Sequence, residues 1–140
     1  MAVLIDTSVF VTLERRDLPL SALLDQLGDE PVALSAITVA ELLHGAHRAD
    51  TQARRLRRES FAETLIEVVT VHPFDVRAAR VHAAVGAVLA SAGQTIGAND
   101  LVIAATALAH DFGVLTANVR EFERVPGLVV RQPDWDAASR

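Results

Sequence analysis

The sequence predicts an α/β domain built on a parallel β-sheet with helices on both faces. Three observations predict it. Short runs rich in Val, Ile and Leu alternate with longer stretches of helical periodicity along the whole chain. Glycines and cap-forming residues fall at the junctions between them. The 140 residues carry no repeat, low-complexity tract or Pro/Gly-rich linker, which suits one domain over residues 1–140. A chain of that length buries roughly two thirds of its unfolded surface in one core.

Five strands are expected near 2–5, 32–35, 67–71, 113–116 and 128–131, each about as short as buried parallel strands usually are. Helices are expected near 8–15, 19–27, 37–47, 51–65, 75–92 and 99–112. The second, within "LPLSALLDQL", carries leucines on more than one face, so Val11, Leu20, Leu23, Leu24 and Leu27 are expected to leave apolar surface for a partner. Asp75 and Asn99 read as helix N-caps. Gly28, Gly93 and Gly113 read as left-handed helix ends. At 100° per residue, helix 75–92 gathers Ala79, Ala83, Gly86, Ala87 and Ala90 on one face, which permits close backbone approach, with Val81, Val85, Val88 and Leu89 opposite. Helix 99–112 is apolar all round from Leu101 to Ala109, so it is expected at the centre of the fold.

The chain is 51% hydrophobic, yet its longest nearly apolar run, "LVIAATALA", is about half the ~18–20 residues of a membrane span. No export leader precedes Asp6, and the chain has no cysteine. Both suit the cytoplasm, and the second excludes disulfides, thiolate metal sites and a cysteine nucleophile. His44 and His47 lack the third ligand that zinc would need and read as ordinary histidines, while His72, His82 and His110 are scattered. Net charge is −5, which alone disfavours nucleic acid. All thirteen basic residues are arginine, however, and Arg48, Arg54, Arg55, Arg57 and Arg58 crowd into "RADTQARRLRRE". That run is either a solvated helix face or an RNA contact through Arg54, Arg55, Arg57 and Arg58, since a guanidinium forks onto phosphate oxygens.

The acids carry the functional signal. Asp6 ends the first strand in "VLIDTSVFV", where taken alone it reads as a helix cap. Glu41 lies in "TVAELLHGA", Asp100 opens the most apolar helix, and Asn118 and Glu121 follow "GVLT". In a parallel sheet every one of these addresses is the carboxyl edge, where open α/β sheets bind ligands. Carboxylates crowded there without a cation should push at least one pKa sharply upward. Oxygen-only, anionic ligands suit Mg²⁺, with Mn²⁺ as a substitute. Thr7, Ser8 and Thr116 are candidates for water or phosphate contacts, or simply for turn and cap roles.

With "VLIDTSVFV", "SAITVAELLHGA" and "IGANDLVIAATALAHDFGVLTANVREFERVPGL" in this order and spacing, the chain resembles PIN-domain ribonucleases over residues 2 to about 131, in particular the VapC toxins of bacterial toxin–antitoxin pairs. The resemblance implies a Rossmann-type three-layer sandwich with strand order 3-2-1-4-5, a homodimer, and Mg²⁺-dependent endonucleolytic cleavage of structured RNA such as tRNA or rRNA. It also implies neutralisation by a VapB-type antitoxin, a segment of which would lie in a groove between the N-terminal helices; an antitoxin ending in basic residues could then place an arginine against Asp6, Glu41 and Asp100. Asp6, Glu41 and Asp100 match the family's metal-binding acids. The family's fourth acid has no exact counterpart: the candidates are Asn118 and, three residues on, Glu121. A catalytically impaired module that binds RNA or protein is the alternative reading if that position is essential.

Overall fold

The computed structural model describes residues 1–140. Its elements, in chain order, are β1 (Val3–Ile5), α1 (Thr7–Arg15), α2 (Leu20–Leu27), β2 (Val32–Ser35), α3 (Ala36–His47), α4 (Gln52–Val68), β3 (Thr70–His72), α5 (Val76–Ser91), α6 (Ala98–Ala109), β4 (Gly113–Leu115), α7 (Val119–Phe122), β5 (Val130–Arg131) and α8 (Trp135–Ala138). All strand pairs are parallel and the order is β3-β2-β1-β4-β5, as the resemblance implied.

Because side chains alternate across a strand, the three residues of β1 serve two cores. Val3 and Ile5 join Leu34, Leu115 and the apolar faces of α1, α2 and α4. Leu4 joins Ala33, Val114 and the residues of α5 and α6. Three layers result, with α3 reaching into both cores through Val39 and Leu42 on one side and Ile37 on the other. No helix is long and apolar enough to cross a membrane.

Helix α6 is buried where expected: Ile103, Ala104, Ala105 and Ala107 are inaccessible to solvent. Several boundaries differ from the sequence reading. Helix α4 runs on to Val68, so the third strand begins later, at Thr70. The N-cap of α6 is Gly97, and Asn99 lies inside the first turn. Asp75 does cap α5, accepting a hydrogen bond from the Ala78 N–H at 2.9 Å. Gly28 and Gly93 take positive φ, but Gly113 does not; the left-handed residue after α6 is Asp111. Gly113 is required for close approach instead, since a Cβ there would stand 3.2 Å from the Val129 carbonyl oxygen. In α5 the larger residues Val85 and Leu89 face the core with Ala78, while Ala83, Ala87 and Ala90 remain exposed; a Cβ added at Gly86 would stand 3.7 Å from Leu101 of α6. The expected leucine surplus of α2 is smaller than predicted: Leu23 and Leu27 are buried at 1% and 5% exposure, and only Val11, at 53%, stands open. Helix α2 is covered on a second side by the short α8, which has no periodicity to announce it.

Candidate active site

The parallel topology brings the ends of β1 and β4 together, and hydroxyl groups there are organised around Asp6. This carboxylate is only 2% exposed and occupies the N-cap position of α1, yet it makes no side-chain cap bond. Its Oδ2 instead accepts hydrogen bonds from the hydroxyls of Ser8 and, at 2.9 Å, Thr116. Ser8 Oγ lies 3.2 Å from Thr116 Oγ1 and accepts the Ala117 N–H at 3.0 Å, tying α1 to the loop after β4. The Asn118 N–H in turn donates to Thr116 Oγ1 at 2.8 Å.

A second cluster joins α1 to α3. Thr7 Oγ1 is 2.8 Å from Glu41 Oε1 and 3.1 Å from the fully buried Thr38 hydroxyl. Sequence reading singled out Thr7 and Glu41 but missed Thr38. Its signal is the spacing: Thr38 precedes Glu41 by three residues, so both lie on one face of α3.

The third cluster holds Asp100 and Glu121. The Gly97 N–H donates to Glu121 Oε1, and Asn118 Nδ2 donates to Glu121 Oε2 at 2.7 Å. A Cβ on Gly97 would stand 3.3 Å from Glu121 Oε1 and 3.4 Å from Asp100 Oδ2, so glycine gives both carboxylates their room. Of the two candidates for the fourth acidic position, Glu121 thus lies beside Asp100, and Asn118 holds it there.

The three clusters share one electrostatic field. Asp100 is pushed up to about 7, first by burial, then by the charges of Asp6 and Glu121, by a hydrogen bond with Glu121, and by the charge of Glu41. The Gly97 N–H, helped by Asn118, holds Glu121 below its usual range. Asp100 is therefore the group that keeps a proton. No arginine or histidine forms an ion pair with any of these four acids. Excess negative charge, oxygen-only donors and no ion-paired cation, with only the more distant charge of Arg124 acting on Glu121, fit a hard divalent cation. No three of the side chains ring a single point tightly enough to chelate one as they stand, so waters would complete its shell.

The arginine run divides. Arg54 pairs with Asp50, just ahead of α4, at 2.8 Å, and Arg55 with Glu59 within α4 at 3.1 Å. Arg58 crosses to Glu14 of α1 at 2.9 Å and donates to the Gly45 carbonyl. Arg57 has no carboxylate partner. His44 and His47 are exposed, whereas His72 and His110, distant in sequence, stack at 4.0 Å between ring centroids.

A model of the PIN domain matches residues 3–128. The chain belongs to the PIN-domain family. Among relatives of this PIN domain, Ribonuclease VapC1 of Rickettsia felis is 33% identical over 130 residues, which cover 93% of this chain and 95% of the relative. The tRNA(fMet)-specific endonuclease VapC of Salmonella typhimurium is 35% identical over 109 residues, 78% of this chain and 79% of the relative. Among solved structures, VapBC-5 of Mycobacterium tuberculosis, a member of the VapBC family of toxin–antitoxin systems, superposes with a TM-score of 0.74 at 31% identity, covering 94% of this chain and 96% of that one.

Proposed function

We propose that this PIN domain is the toxin of a toxin–antitoxin pair, an endoribonuclease dependent on Mg²⁺, with Mn²⁺ as a substitute, and neutralised by a VapB-type antitoxin. The observation that carries the reading is the carboxylate cluster at one sheet edge, in which no ion pair neutralises Asp6, Glu41, Asp100 or Glu121, and burial, with the charges of Asp6, Glu121 and Glu41, pushes Asp100 up to about 7. The ribonuclease and tRNA endonuclease relatives support RNA as the substrate class, and the VapBC-5 likeness supports an antitoxin partner.

Asp6, Glu41 and Asp100, with Glu121 in the fourth position, would hold the cation directly or through water. Once bound, it supplies charge neutralisation at the scissile phosphate and a lowered pKa for the attacking water. The protein's own groups keep the carboxylates aimed. Ser8 and Thr116 fix Asp6, Thr7 fixes Glu41, and the Gly97 N–H with Asn118 fixes Glu121. Hydrolysis leaves a 5′-phosphate and a 3′-hydroxyl. The antitoxin's basic end would pair with the same acids and displace the cation, and two copies of the chain would associate.

The test is cleavage of a labelled structured RNA by the purified chain with Mg²⁺ or with EDTA. Internal cuts that need the metal and fall more than about a hundredfold in Asp100→Asn are expected, since loss even of a metal ligand's outer partners costs about 10–100-fold. RNA binding without metal-dependent cleavage would return the protein to the class of non-catalytic binding modules.

A further inference from the structure

A groove of about 930 Å³ lies between α1, α3 and α4. One end reaches Thr7, Glu41 and Asn99, the neighbour of Asp100, so the groove opens onto the carboxylate edge. Five arginines and three carboxylates line it, on a chain whose net charge is −5. The positive charge of the molecule is therefore focused beside its most acidic site.

These arginines are not equivalent. Arg54 and Arg58 are held by Asp50 and Glu14. Arg15, Arg48 and Arg57 line the groove with no carboxylate partner. Arg15 and Arg48 close the C-terminal ends of α1 and α3, where a cation meets the helix dipole, but that local role does not account for Arg57 joining them in one cleft. A ligand with several anionic groups in a row does.

We infer that Arg15, Arg48 and Arg57 track the phosphates of an RNA strand flanking the bond to be cut. This rests on the nuclease reading of the acidic edge, and it moves the RNA contact from the sequence run of arginines to the unpaired arginines of the groove. RNA suits both ends of the cleft: flanking phosphates meet the arginines, and the scissile phosphate meets the edge where the acids would hold a cation. A peptide's basic end suits the acids, but only a chain that is anionic along its length suits the arginines along the rest of the groove.

Gly45 provides a gain-of-function test. It lies in α3 on the groove wall, and an added Cβ there meets nothing within 4 Å. Arginine is also a better helix former than glycine. The experiment is fluorescence anisotropy with an end-labelled single-stranded RNA oligonucleotide in EDTA over a range of salt, beside cleavage of the same RNA in Mg²⁺. Arg48→Gln/Arg57→Gln should weaken binding and flatten the log–log salt slope by roughly 0.7 for each phosphate no longer neutralised. Gly45→Arg should tighten binding and steepen the slope, which a folding defect cannot imitate. Arg77→Gln/Arg80→Gln, exposed on α5 away from the groove, should leave the slope unchanged. Equal flattening by both double variants, or no response to Gly45→Arg, overturns the inference. If the wild-type chain cuts RNA in Mg²⁺ while every variant binds as it does, the groove assignment fails and the nuclease reading stands. If slopes move as expected and nothing is cut, the groove stands and the nuclease reading fails.

Discussion

At Asp100 a proton and a cation compete for one carboxylate, and the pH dependence follows. The folded pKa, about 7, lies above the ordinary value of 3.8. Between those values the native state holds a proton that the unfolded chain has released, so metal-free stability falls as pH rises through this window and levels off above it. Glu121 acts oppositely: its pKa is lowered, so its contribution is present above the ordinary glutamate value and is lost as pH falls below it. In EDTA, Asp100→Asn should therefore melt above wild type at pH 8 and close to it at pH 5. Melting below wild type at pH 8 would show that the carboxylates do not strain one another. Metal binding should release the better part of a proton at pH 6 and little at pH 8, which calorimetry in buffers of different ionisation enthalpy reads directly. Gly97→Ala presses a methyl group onto Glu121 and Asp100 and should weaken metal affinity more than it lowers the melting temperature. An unchanged affinity would leave Gly97 as an ordinary cap.

Helix α6 carries Asp100 into the edge and is anchored by Ile103, fully buried between the sheet and α5. Ile103→Ala should cost about 2–5 kcal/mol, read from the denaturation midpoint, while leaving activity below the new melting range metal-dependent. A cost under about 1 kcal/mol would mean that the core around α6 collapses easily into the gap. This helix was plain in the sequence because nine nearly apolar residues in succession leave it no surface side. The addresses of Asp6, Glu41 and Asp100 were equally legible, since strand and helix direction alone place them at the carboxyl edge. Asn118 and Glu121 could not be separated because their order in space depends on α7, a single turn too short to show a period. That turn brings Glu121 back over Asn118, and the two side chains bond. The Gly97 N–H donor was hidden for a different reason: a backbone group carries no residue signature, and Asn99 nearby is the better cap by composition.

At the scale of the whole molecule, the apolar excess of a short chain returns as surface on α5. Val76 and Val88 are exposed at 65% and 51%, Ala83 and Ala87 lie exposed between them along the helix, Ala90 follows, and the exposed Arg77 and Arg80 border the patch. Small residues let another helix approach closely, and the flanking valines give the contact apolar area. The groove beside α1, by contrast, is lined with charge and suits a polyanion. The homodimer proposed above is therefore expected to form through α5, leaving the carboxylate edge and the arginine groove open to RNA. Light scattering should give a mass near twice the 15.0 kDa of one chain. Val88→Glu places a charge in that contact and should shift the population to monomer. Its melting temperature measured at high dilution should match wild type, because the exposed side chain contributes little to the monomer's core. A dimer that persists in both Val88→Glu and Val76→Glu would move the interface off α5. A wild-type chain that stays monomeric at micromolar concentration with full nuclease activity would remove association from the functional account altogether.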